Sequence, residues 1–423
     1  MFGVYDIRGI WGKDLTPYTV LKLGNAFSEY IRENIIGIGK DIRIHSEIMF
    51  EYLVRGLDGK TIEDLGIITT PIAHFFALKE KIPTLMITAS HNPKEYNGVK
   101  PIHAGGNMFS TEELMKLKEI YEGIKEPKAF GVYRSRLIAY WDFVEEYFEF
   151  LDSIDIPKIR VSFDPANATG FIYIPFLKRK FDLKVINDLP DGTFPSHLPD
   201  PSKPENLKDL ISITDDIGFA LDGDCDRLGV VYKKKILTSD FLVYLFAKYY
   251  SRNKRIVIEV TLPVVLEEVL KELGFKVIRS PTGHINVKKY AVKYDADLYG
   301  EYSGHFGFKD FHYIDDGLYA FLKLLELIYS EDVNIEEELK SYPKFYQKLI
   351  NIPKEEIKNI EEKVKDLNPQ EILTIDGYDL RFENGRILIR ESRTEPLYRI
   401  KIEALDKETF EKLENLLKEK LLR

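Results

Sequence analysis

The stretch TASHNPKEYN (88–97) sets Ser90 between small and polar residues directly behind the apolar run LMI. A loop opening from the end of a buried strand can present such a hydroxyl to a ligand, as a nucleophile or as a carrier of phosphate. No glycine elbow of the GxSxG type surrounds Ser90, which argues against a hydrolase triad. A phosphoserine dianion would need a divalent cation to neutralise it and a proton donor or acceptor nearby. Further along, DGDCDR (222–227) follows the apolar run IGFAL and spaces Asp222, Asp224 and Asp226 two residues apart. An extended or gently turning loop aims all three carboxylates at one point, where they repel unless a cation or a proton intervenes. Hard oxygen donors suit Mg²⁺, whereas Cys225 is too soft to be a preferred ligand. Arg227 and Lys233 stand where an EF-hand requires Gly and Glu, so that calcium loop is excluded. Each stretch also has an ordinary structural use, as a capping or turn hydroxyl for Ser90 and a solvated Asp/Gly turn for DGDCDR.

Three more polar stretches carry candidate donors. In RESRTEP (390–396), Arg390, Ser392 and Thr394 alternate between two strand-like runs and offer a guanidinium and two hydroxyls on one side, with Arg393 adding charge from the other. That donor set suits a phosphate, or equally an ordinary polar hairpin. GEYSGH (300–305) alternates Glu301, Ser303 and His305 among glycines that permit close backbone approach, a pattern able to read vicinal hydroxyls or to form a plain structural loop. YDIRG (5–9) contributes Tyr5 and Arg8, and Lys100 follows Ser90 after a turn at Gly98.

These loops need rigid elements to hold them. β-Branched runs at IRIH (42–45), TLMIT (84–88), IRVSF (159–163), IGFALD (217–222) and IVIEV (256–260) read as strands. They alternate with helical stretches such as 16–34 and 239–252, the second with Ser239 as its cap, so the expected class is α/β with parallel or mixed sheets. Ligands of such sheets sit at the carboxyl ends of the strands. IKEPKAFG (124–131) links a first unit to an aromatic helix at 139–151, and a further break falls near 330–344. Beyond it, a helix at 355–367, strands at 381–390 and 397–404 and a closing amphipathic helix at 407–422 form a small α+β domain.

Composition bounds the rest. A chain of 423 residues with 44% hydrophobic content can build several cores. The formal charge of -9, with no basic block, argues against nucleic acid or a membrane surface as partner. No signal peptide opens the sequence, and no apolar run reaches the roughly 18 residues of a membrane span, so a cytoplasmic protein is expected. The single cysteine, Cys225, rules out an intrachain disulfide and a multi-cysteine metal site. Gln347 and Gln370 are the only glutamines beside abundant Lys, Glu, Ile and Tyr, a composition that leans toward a heat-adapted source.

Taken in order, YDIRG, TASHNP with NGVK (97–100), DGTFP (191–195), DGDCDR, PTGH (281–284), GEYSGH and RESRTEP resemble the α-D-phosphohexomutase family, in its phosphomannomutase/phosphoglucomutase branch. The resemblance spans nearly the whole chain. It implies four domains around a central cleft: an α/β phosphoserine-loop domain (1–130), an α/β metal-loop domain (131–236), an α/β sugar-binding-loop domain (237–335) and a smaller, mobile α+β phosphate-clamp domain (336–423). It further implies a phosphoserine at Ser90 that completes an Mg²⁺ site with Asp222, Asp224 and Asp226, while Arg227 steadies the phosphoryl group. Lys100 and Arg8 would assist proton movement, with Tyr5 and His91 lining the same pocket. Glu301, Ser303 and His305 would grip sugar hydroxyls beside Thr282, Gly283 and His284, and Arg390, Ser392, Arg393 and Thr394 would hold the phosphate that is not reacting. The implied reaction interconverts hexose 1- and 6-phosphates through a 1,6-bisphosphate, which also serves as activator.

Some positions depart from the family pattern. Arg393 replaces a Gly or Asn, Glu391 a small or apolar residue, and Tyr302 a common Met or Gln, which bears on substrate preference. Mannose, glucose or both, and the oligomeric state, stay open. Among rival readings, a haloacid-dehalogenase-type phosphatase is disfavoured by Asp226 at the fifth position of its DxDx(T/V) motif. A non-catalytic sugar-phosphate binder is disfavoured by the presence of Ser90, Lys100 and the full aspartate set. Phosphoglucosamine mutase is the nearest rival, and its relatives usually open with GTDGxRG where this chain has VYDIRG.

Overall fold

The structure, a computed structural model, describes residues 1–3, 6–130, 134–137, 140–357, 359–392 and 396–421. The chain forms two compact units, Met1–Thr238 with Ser303–Val333 and Ser239–Tyr302 with Asn334–Arg423.

In the first unit, a six-stranded sheet runs Ile7–Ile10, Tyr96–Ile102, Thr84–Ile87, Ile35–Lys40, Thr61–Ile67, Arg134–Leu137. The last four are mutually parallel, and Tyr96–Ile102 is antiparallel to both its neighbours. The strand expected at 42–45 is a correction: the strand is Ile35–Lys40, and IRIH forms the loop behind it. Its glycines conceal it from a propensity reading, yet packing demands them. A Cβ on Gly37 would lie 2.8 Å from the Phe76 ring, and one on Gly39 would lie 2.4 Å from Ile68.

Helices cover the sheet. Pro17–Tyr30 starts in a capping box, in which Thr16 and Thr19 satisfy each other's backbone amides and Pro17 occupies the first turn. It crosses Ser46–Gly56 at two glycines, since a Cβ on Gly24 would stand 2.3 Å from Leu53 O and one on Gly56 would stand 2.3 Å from Leu21 O.

A second sheet in this unit, ordered Lys235–Leu237, Leu228–Tyr232, Ile217–Leu221, Arg160–Asp164, Asp182–Val185, mixes antiparallel and parallel pairs. Its core is aromatic: Phe219 stacks on Phe163 at 4.4 Å and on Phe321 at 4.0 Å. Phe321 belongs to Gly317–Tyr329, a helix apolar on nearly every side and buried accordingly. Asp316 caps it by accepting the Tyr319 amide at 3.0 Å, and the same carboxylate accepts Tyr147 OH at 2.8 Å.

In the second unit, Arg255–Glu259 lies parallel between Lys276–Ser280 and Leu298–Gly300. A five-stranded antiparallel sheet, ordered Tyr346–Pro353, Leu397–Ala404, Gly385–Glu391, Tyr378–Phe382, Glu371–Leu373, is backed by the helix Lys407–Lys420. Ser239 proves to be the first residue inside its helix, where its hydroxyl donates to Tyr302 O.

Arg386, on the antiparallel sheet, is fully buried. It pairs with Asp379 at 2.6 Å and donates to Val260 O at 2.6 Å and Leu262 O at 3.1 Å, while Glu403 accepts the Val264 amide at 3.0 Å. Among the described residues, no helix is long and apolar enough to cross a membrane.

Helix propensity alone favours Ala over Gly by about 1 kcal/mol, but at position 24 the added methyl forces two helices apart. Gly24→Ala is therefore expected to destabilise the first unit by about 1–3 kcal/mol, read as a lower urea midpoint; an unchanged or higher midpoint would contradict the close crossing.

Candidate active site

Polar loops follow the carboxyl ends of parallel strands in both units. Ser90 comes after Thr84–Ile87, Asp222 after Ile217–Leu221, Thr282 after Lys276–Ser280 and Glu301 after Leu298–Gly300.

In the first unit, the serine and the aspartates meet. Ser90 Oγ donates to Asp222 Oδ2 at 2.6 Å and lies 3.2 Å from His91 Nδ1. Ser90 sits at φ +51, held by its amide to Thr88 Oγ1 at 2.9 Å. The approach of the aspartate loop depends on Gly223, since a Cβ there would be 2.2 Å from Ser90 O. Asp222, Asp224 and Asp226 each offer an oxygen, and these lie within 4.8 Å of one another in a buried setting. Lys100 Nζ bridges Asp224 and Asp226 at 2.6 Å each, Thr70 Oγ1 donates to Asp224 at 2.6 Å, and His305 Nε2 lies 3.1 Å from Asp226.

Charge is unevenly shared among the three carboxylates. Burial, then the charges of Asp226 and Asp224, pushes Asp222 well above the usual carboxylate range. Burial acts on Asp226 in the same sense, but Lys100 and His305 outweigh it and hold that group well below the range. Burial likewise opposes the charge on Lys100, and Asp224 and Asp226 overcome it, raising the ammonium. His91 is held well below the ordinary imidazole value by burial and by the charges of Arg227 and Arg8. Asp224 Oδ1 is buried and has no hydrogen-bond partner among the described residues. Three converging hard oxygens, one with an unused acceptor, fit a divalent cation such as Mg²⁺.

Of the other expected residues, Arg8 donates to Asn92 Oδ1 at 2.6 Å and pairs with Asp6 at 2.5 Å, at the strand register opposite Gly98. The Arg227 amide donates to Asp222 Oδ1 at 3.1 Å, and its guanidinium lies 3.7 Å from Asp200. Ser303 Oγ lies 2.8 Å from His305 Nδ1, so this histidine spans the serine and Asp226. The GEYSGH stretch is divided between the units after Tyr302.

In the second unit, Glu301 is buried, Gly283 takes φ +101, and His284 opens the helix His284–Lys293. Thr282 and Arg390 meet at Asp376. Ser392 Oγ and Arg390 Nε are buried and without a hydrogen-bond partner among the described residues. Tyr5, Arg393 and Thr394 lie outside the described residues.

Arg43 and Glu259, like Asp376, go unmarked in the sequence reading. Arg43, buried, donates to Ser90 O and Asn92 O at 2.6 Å each, to Pro93 O at 2.8 Å and to Tyr96 O at 3.1 Å. It also pairs with Asp41 at 3.2 Å and lies 4.9 Å from the centroid of the Phe194 ring, on the DGTFP loop. Arg43 lay inside a stretch read as a strand, and no spacing rule flags an arginine that binds carbonyls. Glu259 accepts Thr261 Oγ1 at 2.6 Å and the Tyr302 amide at 3.3 Å; burial and neighbouring Glu301 push it up to about 7. Its position at a strand end was the available signal.

Comparison with known proteins places all four parts of the chain. The family descriptions of phosphoglucomutase/phosphomannomutase match in order: alpha/beta/alpha domain I over residues 1–128, domain II over 139–235, domain III over 238–346 and the C-terminal domain over 349–420. The chain is 34% identical to a phosphoglucomutase of Neisseria gonorrhoeae, covering 99% of this chain and 96% of that protein. It is 33% identical to a phosphomannomutase of Methanocaldococcus jannaschii, covering 98% and 96%. Among solved structures, a phosphoglucomutase/phosphomannomutase family protein from Burkholderia thailandensis matches with a TM-score of 0.84 at 28% identity, over 99% of this chain and 97% of that one.

Arg43→Ala strips four carbonyls and the Asp41 carboxylate of their shared donor, at a local cost of about 3–5 kcal/mol for breaking a buried ionic group. Amide hydrogen exchange over 88–97 is expected to accelerate at least tenfold while the sheet beneath stays protected; unaltered exchange would show that the loop holds its shape without Arg43.

Proposed function

The chain belongs to the phosphoglucomutase/phosphomannomutase family, and on that premise we propose that it interconverts hexose 1-phosphate and hexose 6-phosphate, of mannose, glucose or both, through a phosphoserine at Ser90. The observation that carries this reading is the 2.6 Å contact of Ser90 Oγ with the aspartate set, at the end of a buried strand.

In the first half-reaction the bond from phosphorus to Ser90 Oγ breaks as a bond from phosphorus to the free sugar hydroxyl oxygen forms; that hydroxyl gives up its proton, Ser90 Oγ takes one up to leave as a hydroxyl, and the product is a 1,6-bisphosphate. The sugar then reverses, and the other phosphate returns to Ser90, leaving the isomeric monophosphate. A hexose 1,6-bisphosphate therefore also primes a dephosphorylated enzyme. Phosphoryl transfer asks a protein mainly for alignment and for charge stabilisation. Mg²⁺, which Asp222, Asp224, Asp226 and the Ser90 oxygens would hold, supplies positive charge against the transferring phosphoryl oxygens.

The chain's own residues do the rest. Arg43 fixes the serine loop through its carbonyls, and Gly223 admits the acidic loop against it. Lys100 brings a firmly held ammonium, Arg227 steadies the phosphoryl group, and Arg8 and Tyr5 are assigned to the sugar hydroxyl. His91, with Nδ1 at 3.2 Å, passes a proton to Ser90 Oγ as the serine leaves phosphorus and takes one back when the serine attacks phosphorus. Glu301, Ser303 and His305 are assigned to sugar hydroxyls, and Thr282, Gly283 and His284 to the sugar as well. Arg390 and Ser392, with Arg393 and Thr394, hold the phosphate that is not transferred, and the two buried donors without partners support that assignment. Hexose phosphates are thus the small-molecule partners, and we place the reaction in the cytoplasm.

Ser90→Ala is expected to lower isomerisation by on the order of 10³-fold or more while sparing sugar-phosphate binding. Intact-mass and fragmentation analysis should find phosphate at Ser90 in the native protein only. Isomerisation undiminished in the variant, or tight binding with no turnover in the native protein given Mg²⁺ and bisphosphate, would overturn the reading. Chelating divalent cations should stop turnover, and Mg²⁺ should restore it. A coupled assay of mannose, glucose and glucosamine 1-phosphates side by side orders the substrates.

A further inference from the structure

In the second unit, one carboxylate oxygen gathers the donors of two separate segments. Asp376 Oδ2 accepts the Thr282 amide at 3.0 Å, the Thr282 hydroxyl at 2.6 Å and Arg390 Nη2 at 2.7 Å. The same Nη2 reaches Thr282 Oγ1 at 2.5 Å, closing a three-membered polar cluster. Asp376 is not held there by regular pairing, because the strand Tyr378–Phe382 begins two residues later. Gly377 brings it in: at φ +86, a Cβ would stand 2.2 Å from Ile389 O and 3.1 Å from Arg390 Cα, so only glycine lets the chain lie this close to the clamp strand.

An arginine side chain has several rotatable bonds, and a free guanidinium samples many positions at an entropic cost to any ligand that must fix it. Anchoring Nη2 removes that freedom and leaves Nε, on the same guanidinium, with no partner among the described residues. Ser392 Oγ, two residues along, is likewise buried without a partner. Buried donors without acceptors cost about 1–3 kcal/mol each, which an anion can recover.

We propose that Asp376 is the positioning residue of this anion clamp: it ties Arg390 to Thr282 so that Arg390 Nε and Ser392 Oγ are presented together to the stationary phosphate of either hexose phosphate isomer. This rests on the clamp reading given under Proposed function. Because the clamp serves the phosphate of both isomers, loosening it affects both directions of the reaction alike.

The test is a double-mutant cycle on the full chain, with Asp376→Ala, Arg390→Ala and the pair, assayed in both directions and with inorganic phosphate as inhibitor. Asp376→Ala should raise KM for both isomers, and the inhibition constant of phosphate, by about tenfold, with kcat changed by less than about threefold. The double variant should match Arg390→Ala alone within about twofold, since a residue acting through Arg390 has nothing left to position. Asp376→Asn keeps an acceptor for Thr282 and should fall between native and Ala; it also serves if the alanine variant does not fold. Independent, multiplicative effects of the two alanines would overturn the proposal, as would an unchanged KM or a tighter phosphate inhibition on removing Asp376, which would make it a competitor of the ligand instead. If Arg390→Ala itself leaves KM and phosphate inhibition unaltered, the clamp reading fails, and not merely the role of Asp376.

Discussion

Three carboxylates brought within 4.8 Å of one another in a buried loop repel, and the first unit is arranged around making that proximity tolerable. Lys100 stands between two of them, Thr70 and the Arg227 amide donate to them, and His305 closes the far side of Asp226. Each of these donors comes from a different element, so none would be where it is without the sheets. The serine loop, in turn, is shaped from behind by a single buried guanidinium that binds four of its main-chain oxygens and pairs with Asp41. Charge thus sets the site's geometry twice: once as repulsion that requires cations, and once as a cation that organises neutral carbonyls.

Much of this was legible in the amino-acid sequence, and the failures have physical causes. The loops were found because special backbone leaves a signature of glycines and alternating polar residues behind β-branched runs, and Ser90 and the aspartates do converge as that pattern suggests. The strand Ile35–Lys40 was misplaced because its two glycines look like breakers, whereas tertiary packing against Phe76 and Ile68 leaves no room for anything larger. Arg43 went unnoticed because its partners are carbonyls, which every residue carries. Asp376 and Glu259 were overlooked for a related reason: a carboxylate that serves a neighbouring loop has no periodicity, and only the folded chain shows which donors reach it.

The second unit joins its layers with buried charge as well as apolar area. Arg386 reaches from the antiparallel sheet to the carbonyls of Val260 and Leu262 while Asp379 balances its charge, and Arg279 binds the same turn, reaching Val260 O at 3.0 Å and Leu262 O at 2.9 Å. Removing one member of such a set strands the others without solvent, so breaking it costs more than the intact set contributes.

That cross-sheet guanidinium has a mechanical consequence. Drawing the C-terminal sheet away from the 260–264 turn would strip Arg386 of two carbonyls in a dry setting, a cost that opposes their separation. Thr261, whose hydroxyl donates to Glu259 at the end of the preceding strand, lies between the two carbonyls that Arg386 holds, so the C-terminal sheet braces the backbone on which that carboxylate depends.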